Sequence, residues 1–178
     1  TREMADTAQR LAVLHSDLKS TVVDIEDIWD EFNYGIASPH ALRDFLGYAS
    51  KEWVTGPRYV VLAGDGSFDY MNKLGIGGNF VPAMNAKTPF GLYASDNWYA
   101  NTDAQGAPEI AIGRLPATSA ATLGKMIDRI EARERGVGVA WTNRVLMLAD
   151  NADIAGNFPF DSDRIAATIP AAFPLGKI

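Results

Sequence analysis

The sequence predicts an α/β domain: a mainly parallel sheet with helices on both faces. Three observations carry that reading. Two short apolar runs, YVVLAG (59–64) and VLMLA (145–149), have the composition of strands covered on both sides. Amphipathic stripes with helical spacing lie between and around them. The resulting order, α-β-α-β-(long loop)-β-α-β-α, calls for right-handed crossovers between parallel strands.

Each element has its own reason. Met4, Ala8, Leu11 and Leu18 repeat on one helical face, with His15 on the same stripe. STVVDI (20–25) is β-branched and reads as a strand. Ile25, Ile28, Trp29 and Phe32 then make a helical stripe that Gly35 ends. Ser38-Pro39 opens the next helix with a hydroxyl cap and a fixed φ; Gly56-Pro57 closes it. RYVVLAG (58–64) follows as a buried strand. Residues 64–108 are rich in Gly, Asn, Pro and aromatics and predict irregular structure or short hairpins. EIAIGRL (109–115) is a strand, and Thr118 or Ser119 caps a helix that stops at Gly136. NRVLMLAD (143–150) is another buried strand. Asp161 or Ser162 caps a last helix through Ile169, ended by Pro170. The closing PLGKI reads as the approach to a further strand, so residues 1–178 are expected to be one domain portion cut from a longer chain.

Composition narrows the function. A chain of 178 residues with 47% hydrophobic content suits a single core. Its 16 basic and 22 acidic side chains leave a charge of −6, which argues against nucleic acid as a partner. No apolar run approaches the roughly 18 residues of a membrane-spanning helix. The count of zero cysteines excludes a thiol nucleophile, a disulfide or a zinc-thiolate site within these residues.

Several segments invite a chemical reading. Gly64-Asp65-Gly66-Ser67-Phe68-Asp69 follows a strand as a dinucleotide loop would. Asp69 stands where the third glycine belongs, however, and a carboxylate repels phosphate. The bland alternative is a sharp turn in which Asp65 bonds nearby backbone N–H groups. Asp65, Asp69 and Asp150 follow the carboxyl ends of strands, where α/β sheets bind ligands, and Asp96 and Asp103 lie in the long loop. Asp65, Asp69, Asp96 and Asp150 are therefore candidate ligands for a hard cation such as Ca²⁺. The competing reading is that these acids cap turns and helices. His15 sits on an apolar stripe and His40 in the first turn of a helix, and Ser67 lacks a nucleophile-elbow sequence, so none is assigned to catalysis. Trp29, Trp53, Trp98 and Trp141 are read as core anchors.

Longer strings carry a resemblance. VVDIEDIWDEFNYG (22–35), SPHALRDFL (38–46), YVVLAGDGSFDY (59–70), SDNWYA (95–100), EIAIGRLPA (109–117), MIDRIEARE (126–134), VLMLADNAD (145–153) and FDSDRIA (160–166) resemble, in order and spacing, the gingipain-type cysteine peptidases. The resemblance implies a caspase-like three-layer α/β/α sandwich made of two adjoining parts, of which this chain matches the amino-terminal one. It also implies that the catalytic histidine, in a His-Gly motif, and the nucleophilic cysteine belong to the second part. No catalytic residue is carried over to this chain. In arginine-specific members an acid lines the primary specificity pocket near the stretch matching 153–163, which makes Asp161 or Asp163 the candidate here. Some members bind calcium. The implied partners are the carboxyl-terminal half of the same domain and a peptide or protein substrate, and the implied location is secreted or cell-surface. The alternative expectation is a catalytically dead binding or scaffold module with Ca²⁺ at its acid-rich edge.

Overall fold

The computed structural model describes residues 1–102, 107–136 and 143–178; Asp103 and Trp141 lie outside the described residues. Its elements are α1 (Arg2–Leu14), a 3-10 turn (Ser16–Leu18), α2 (Ile25–Asn33), α3 (Pro39–Glu52), β1 (Tyr59–Ala63), β2 (Asn85–Thr88) and β3 (Gly91–Ala94). They continue with α4 (Asn97–Ala100), β4 (Ala111–Leu115), α5 (Ala120–Glu134), β5 (Val145–Met147), α6 (Phe158–Ala166) and β6 (Leu175–Lys177). The chain divides into two units, Thr1–Glu131 and Ala132–Ile178.

In the first unit β1 and β4 pair in parallel, Tyr59 opposite Ala111 through Ala63 opposite Leu115. Alternation along the strands sorts the helices into layers. Val60, Leu62, Ile110 and Ile112 pack with Ile25, Ile28, Leu42 and Leu46, placing α2 and α3 on one face. Ala63 and Leu115, of opposite parity, pack with Met4, Leu123 and Ile127, placing α1 and α5 on the other. Helices thus cover both faces of a parallel pair, as expected. The second unit repeats the principle on a smaller scale: β5 pairs in parallel with β6, Val145 opposite Leu175, and α6 forms the crossover.

The helix starts follow the capping chemistry. Asp24 accepts from the Glu26 N–H at 3.1 Å, Ser38 from His40 N–H at 3.1 Å, and Ser119 from Thr122 N–H at 3.2 Å. Gly136, with φ +67°, follows α5 where a helix stop was read. The long loop does contain a hairpin, β2 against β3.

Four details correct the sequence reading. Residues 20–24 form no strand; this stretch carries no backbone ladder and Asp24 is consumed as the cap of α2. The first helix ends at Leu14, tightening into the 3-10 turn rather than running to Leu18. β1 is covered on both faces only at its carboxyl end: Tyr59 and Val61 are exposed, because α1 and α5 reach no further than Ala63. β5 is likewise partly open. The last helix starts at Phe158, capped by Asn157 through Phe160 N–H, and ends at Ala166, so neither Asp161 nor Ser162 is its cap.

Candidate functional site

The carboxyl ends of β1 and β4 are organised by one side chain that sequence reasoning did not single out. Arg114, the fourth residue of β4, donates from Nε and Nη2 to the two oxygens of Asp96 at 2.9 and 2.7 Å. Its Nη1 donates to the carbonyls of Gly64 and Val81 at 2.8 and 2.7 Å, and Nη2 reaches the Pro82 carbonyl at 3.3 Å. A planar fork with five N–H groups is the one side chain that serves a carboxylate and several carbonyls together. The signal was an arginine inside an otherwise apolar strand.

The loop after β1 is fixed around this clamp. Asp65 receives its own support from Gly66 N–H at 2.9 Å, while its carbonyl accepts from Phe80 and Val81 N–H. Gly66 lies so close to the 81–83 segment that an added Cβ would sit 2.1 Å from the Val81 carbonyl oxygen. Asp69 is buried, and its two oxygens accept from Lys73 N–H at 2.9 Å and Leu74 N–H at 2.6 Å. Ser67 Oγ accepts from Asp69 N–H at 3.2 Å, a turn-forming role.

Two tyrosines close the set. Tyr99 is fully buried and donates its hydroxyl to the Pro82 carbonyl at 2.6 Å; Tyr70 donates to the Ala83 carbonyl at 2.7 Å. Burial pushes both phenols above the ordinary tyrosine range, Tyr99 the further, although the Arg114 charge opposes part of that rise. His40 is exposed on α3 and meets the Trp98 ring edge-on at 5.1 Å, with the Arg43 guanidinium 4.4 Å from the same ring centre. His15 caps the end of α1, its carbonyl accepting from Ser20 Oγ.

The four acids read as cation ligands are not gathered. Both oxygens of Asp96 are held by Arg114, both of Asp69 by backbone N–H groups, and Asp65 folds its own turn. Asp150 belongs to the second unit, where it accepts from Asn151 N–H at 2.7 Å. Among the described residues no group of three or more His, Cys, Asp or Glu side chains is placed to hold a metal ion.

The second unit has a groove of about 480 Å³ lined by Asp150, Asp153, Asp161, Met147, Phe158 and Ile165. Asp161 faces it, with Arg164 Nη1 3.7 Å away in an exposed pair. Asp163 instead pairs with Lys177 on β6. No helix among the described residues is long and apolar enough to cross a membrane.

Parallel strands sandwiched by helices, with the loops elaborated at the strand carboxyl ends, define the α/β class to which gingipain-type peptidase domains belong. The model of Peptidase family C25 matches residues 1–178, so the chain belongs to that family. Three solved structures share its fold. Dimeric latent PorU from Porphyromonas gingivalis is 20% identical, with a TM-score of 0.57 over 82% of this chain and 17% of its own. The complex of Porphyromonas gingivalis RgpB pro- and mature domains is 24% identical, TM-score 0.57, covering 86% of this chain and 38% of the other. The Arg-specific cysteine proteinase gingipain R (RgpB) is 25% identical, TM-score 0.56, with the same two coverages. The chain therefore spans well under half the length of each. No curated protein sequence matches it.

Proposed function

We propose that this chain is the amino-terminal, non-catalytic portion of a gingipain-like cysteine endopeptidase domain. The observation that carries the reading is the family match across all 178 residues of a sequence without cysteine. A cysteine peptidase needs a thiolate beside an imidazole, so its nucleophile and its paired histidine are assigned to chain outside these residues. The partner is then the carboxyl-terminal half of the same domain, and the parent's substrate a peptide or protein. The resemblance also supports a secreted or cell-surface parent.

In the first unit the Arg114 clamp holds the strand-end loops. In the second unit Asp161, facing an acid-lined groove, is the better placed of the two acids to meet a basic substrate side chain. Asp163, engaged by Lys177, is the weaker candidate.

The test is expression of the 178-residue chain alone and of a longer product that continues into the next part of the reading frame. The chain alone is expected to leave an arginyl peptide substrate uncleaved, and the longer product to cleave it. Turnover by the purified short chain, titrating with its concentration, would falsify the assignment. In the longer product Asp161→Asn should lower kcat/KM for the arginyl substrate about tenfold or more, while Asp163→Asn should have little effect.

A further inference from the structure

We propose that the Asp65–Gly66 bond is a site of spontaneous conversion to isoaspartate, held in check by the closed strand-end loop, and that the converted loop no longer recloses. Asp65 is the only aspartate of the sequence that precedes a glycine, and no asparagine does. Glycine carries no Cβ to shield its nitrogen, so this pair is the least hindered in the chain for the rearrangement. The chemistry needs only water. The Gly66 nitrogen attacks Cγ of the protonated Asp65 carboxyl group; its proton and the carboxyl hydroxyl leave together as water, and a five-membered succinimide forms. Water then adds back to the ring. Cleavage between the nitrogen and Cγ restores aspartate. Cleavage between the nitrogen and the main-chain carbonyl carbon leaves the chain running through Cβ and Cγ.

Proximity and restraint meet at this bond. Gly66 N–H donates to Asp65 Oδ1 at 2.9 Å, so the attacking nitrogen already lies against the carboxyl group it attacks. The main chain around it is held, however. Asp65 N–H donates to the Ala117 carbonyl at 2.9 Å, and the Asp65 carbonyl accepts from Phe80 and Val81 N–H at 3.0 Å each. Arg114 Nη1 holds the carbonyls of Gly64 and Val81 on either side of the crossing. Ring closure therefore waits on local opening of the loop. Nor is the glycine exchangeable, since a Cβ at 66 would lie 2.1 Å from the Val81 carbonyl oxygen. The packing that fixes the loop thus requires the labile pair that it protects.

The product does not fit the same space. Isoaspartate lengthens the main chain by a single atom and turns the Asp65 carbonyl, acceptor of the Phe80 and Val81 N–H groups, into a free carboxylate on a side branch. The added length falls where Gly66 already touches the 81–83 segment. A converted loop consequently no longer matches the clamp that Arg114 makes across Gly64 and Val81.

The test is peptide mapping of isoaspartate at position 65 in the longer product, held near neutral pH in buffer and in enough urea to unfold it. Conversion should run at least about tenfold faster in urea. In buffer, Arg114→Lys should raise the rate at 65 about tenfold or more. Tyr99→Phe, which removes a single bond to the same segment and keeps the fork, should raise it about fivefold. Chains converted at 65, separated from the unconverted ones, should unfold at a lower urea midpoint. Equal rates in buffer and urea overturn the proposal, as does a rate in buffer that Tyr99→Phe leaves unchanged. So does isoaspartate at 65 no more abundant than at Asp153 or Asp161 in the unfolded chain, or a converted chain with the midpoint of the unconverted one.

Discussion

The Arg114 guanidinium grips the Asp96 carboxylate through two bonds, 2.9 and 2.7 Å, and with its remaining N–H groups ties the ends of β1 and the 81–82 segment to β4. Both side chains are mostly shielded, 14% and 27% exposed, so the pair is poorly screened by water. Arg114→Ala strands a carboxylate and three carbonyls and is expected to cost about 3–5 kcal/mol in urea denaturation. Arg114→Lys keeps the charge but loses the fork, and should recover less than half of that. Full recovery by lysine would mean that charge alone, and not the geometry, holds these loops.

Asp69 separates a turn-building role from a cation-binding one. Its two bonds to the N–H groups of Lys73 and Leu74 are charge-assisted, so Asp69→Ala should cost about 2 kcal/mol. Because those oxygens and the oxygens of Asp96 are already engaged, millimolar Ca²⁺ is expected to leave the thermal midpoint of the wild-type chain unmoved. A rise in Tm with Ca²⁺ that Asp69→Ala abolishes would return these acids to the ligand role.

The contrast between those two sites shows where sequence reading works. Local signals were legible: Ser38-Pro39 opens α3 and Gly136 follows α5 because capping and φ are decided within a few residues. The layered fold was legible from alternating apolar faces. Val22 and Val23 misled because β-propensity reports a fit to a neighbouring strand, and here Asp24 is committed to a helix cap. The Arg114 clamp was invisible because its partners at 64, 81, 82 and 96 are brought together only by the folded loop. The acids at 65, 69 and 96 were recognised as a group, but their chemistry depends on which N–H groups meet them, which no spacing rule contains.

Glycine substitution offers a local test of how tightly the strand-end loop is packed. A Cβ at Gly66 would lie 2.1 Å from the Val81 carbonyl oxygen and 3.0 Å from the Ala83 nitrogen, both backbone atoms that cannot step aside cheaply. At Gly113, inside β4, the same Cβ meets nothing within 4 Å. Gly66→Ala should therefore destabilise by about 2 kcal/mol or more. Gly113→Ala should be neutral or stabilising by up to about 1 kcal/mol, since alanine lowers the entropy of the unfolded chain. Urea midpoints for the two variants check the ordering, and equal effects would show that the 81–83 segment yields.

The alkaline limit of stability should be set in part by Tyr99. Its folded-state pKa is raised, chiefly by burial, above the value near 10 of an unfolded tyrosine. The unfolded chain thus releases this proton first. The contribution is complete below about pH 10 and declines as pH rises through the higher folded pKa. Tyr70, raised by burial as well, acts in the same direction and more weakly. Stability measured by urea denaturation should be insensitive to these phenols between pH 7 and 9 and fall above about pH 10. Tyr99→Phe removes the 2.6 Å bond to Pro82 and should lower stability at pH 8 by about 1 kcal/mol. With no buried phenol left at that position to ionise, the variant should lose less than wild type between pH 9 and 11. Parallel alkaline slopes for the two proteins would show that the Tyr99 hydroxyl reaches solvent before it ionises.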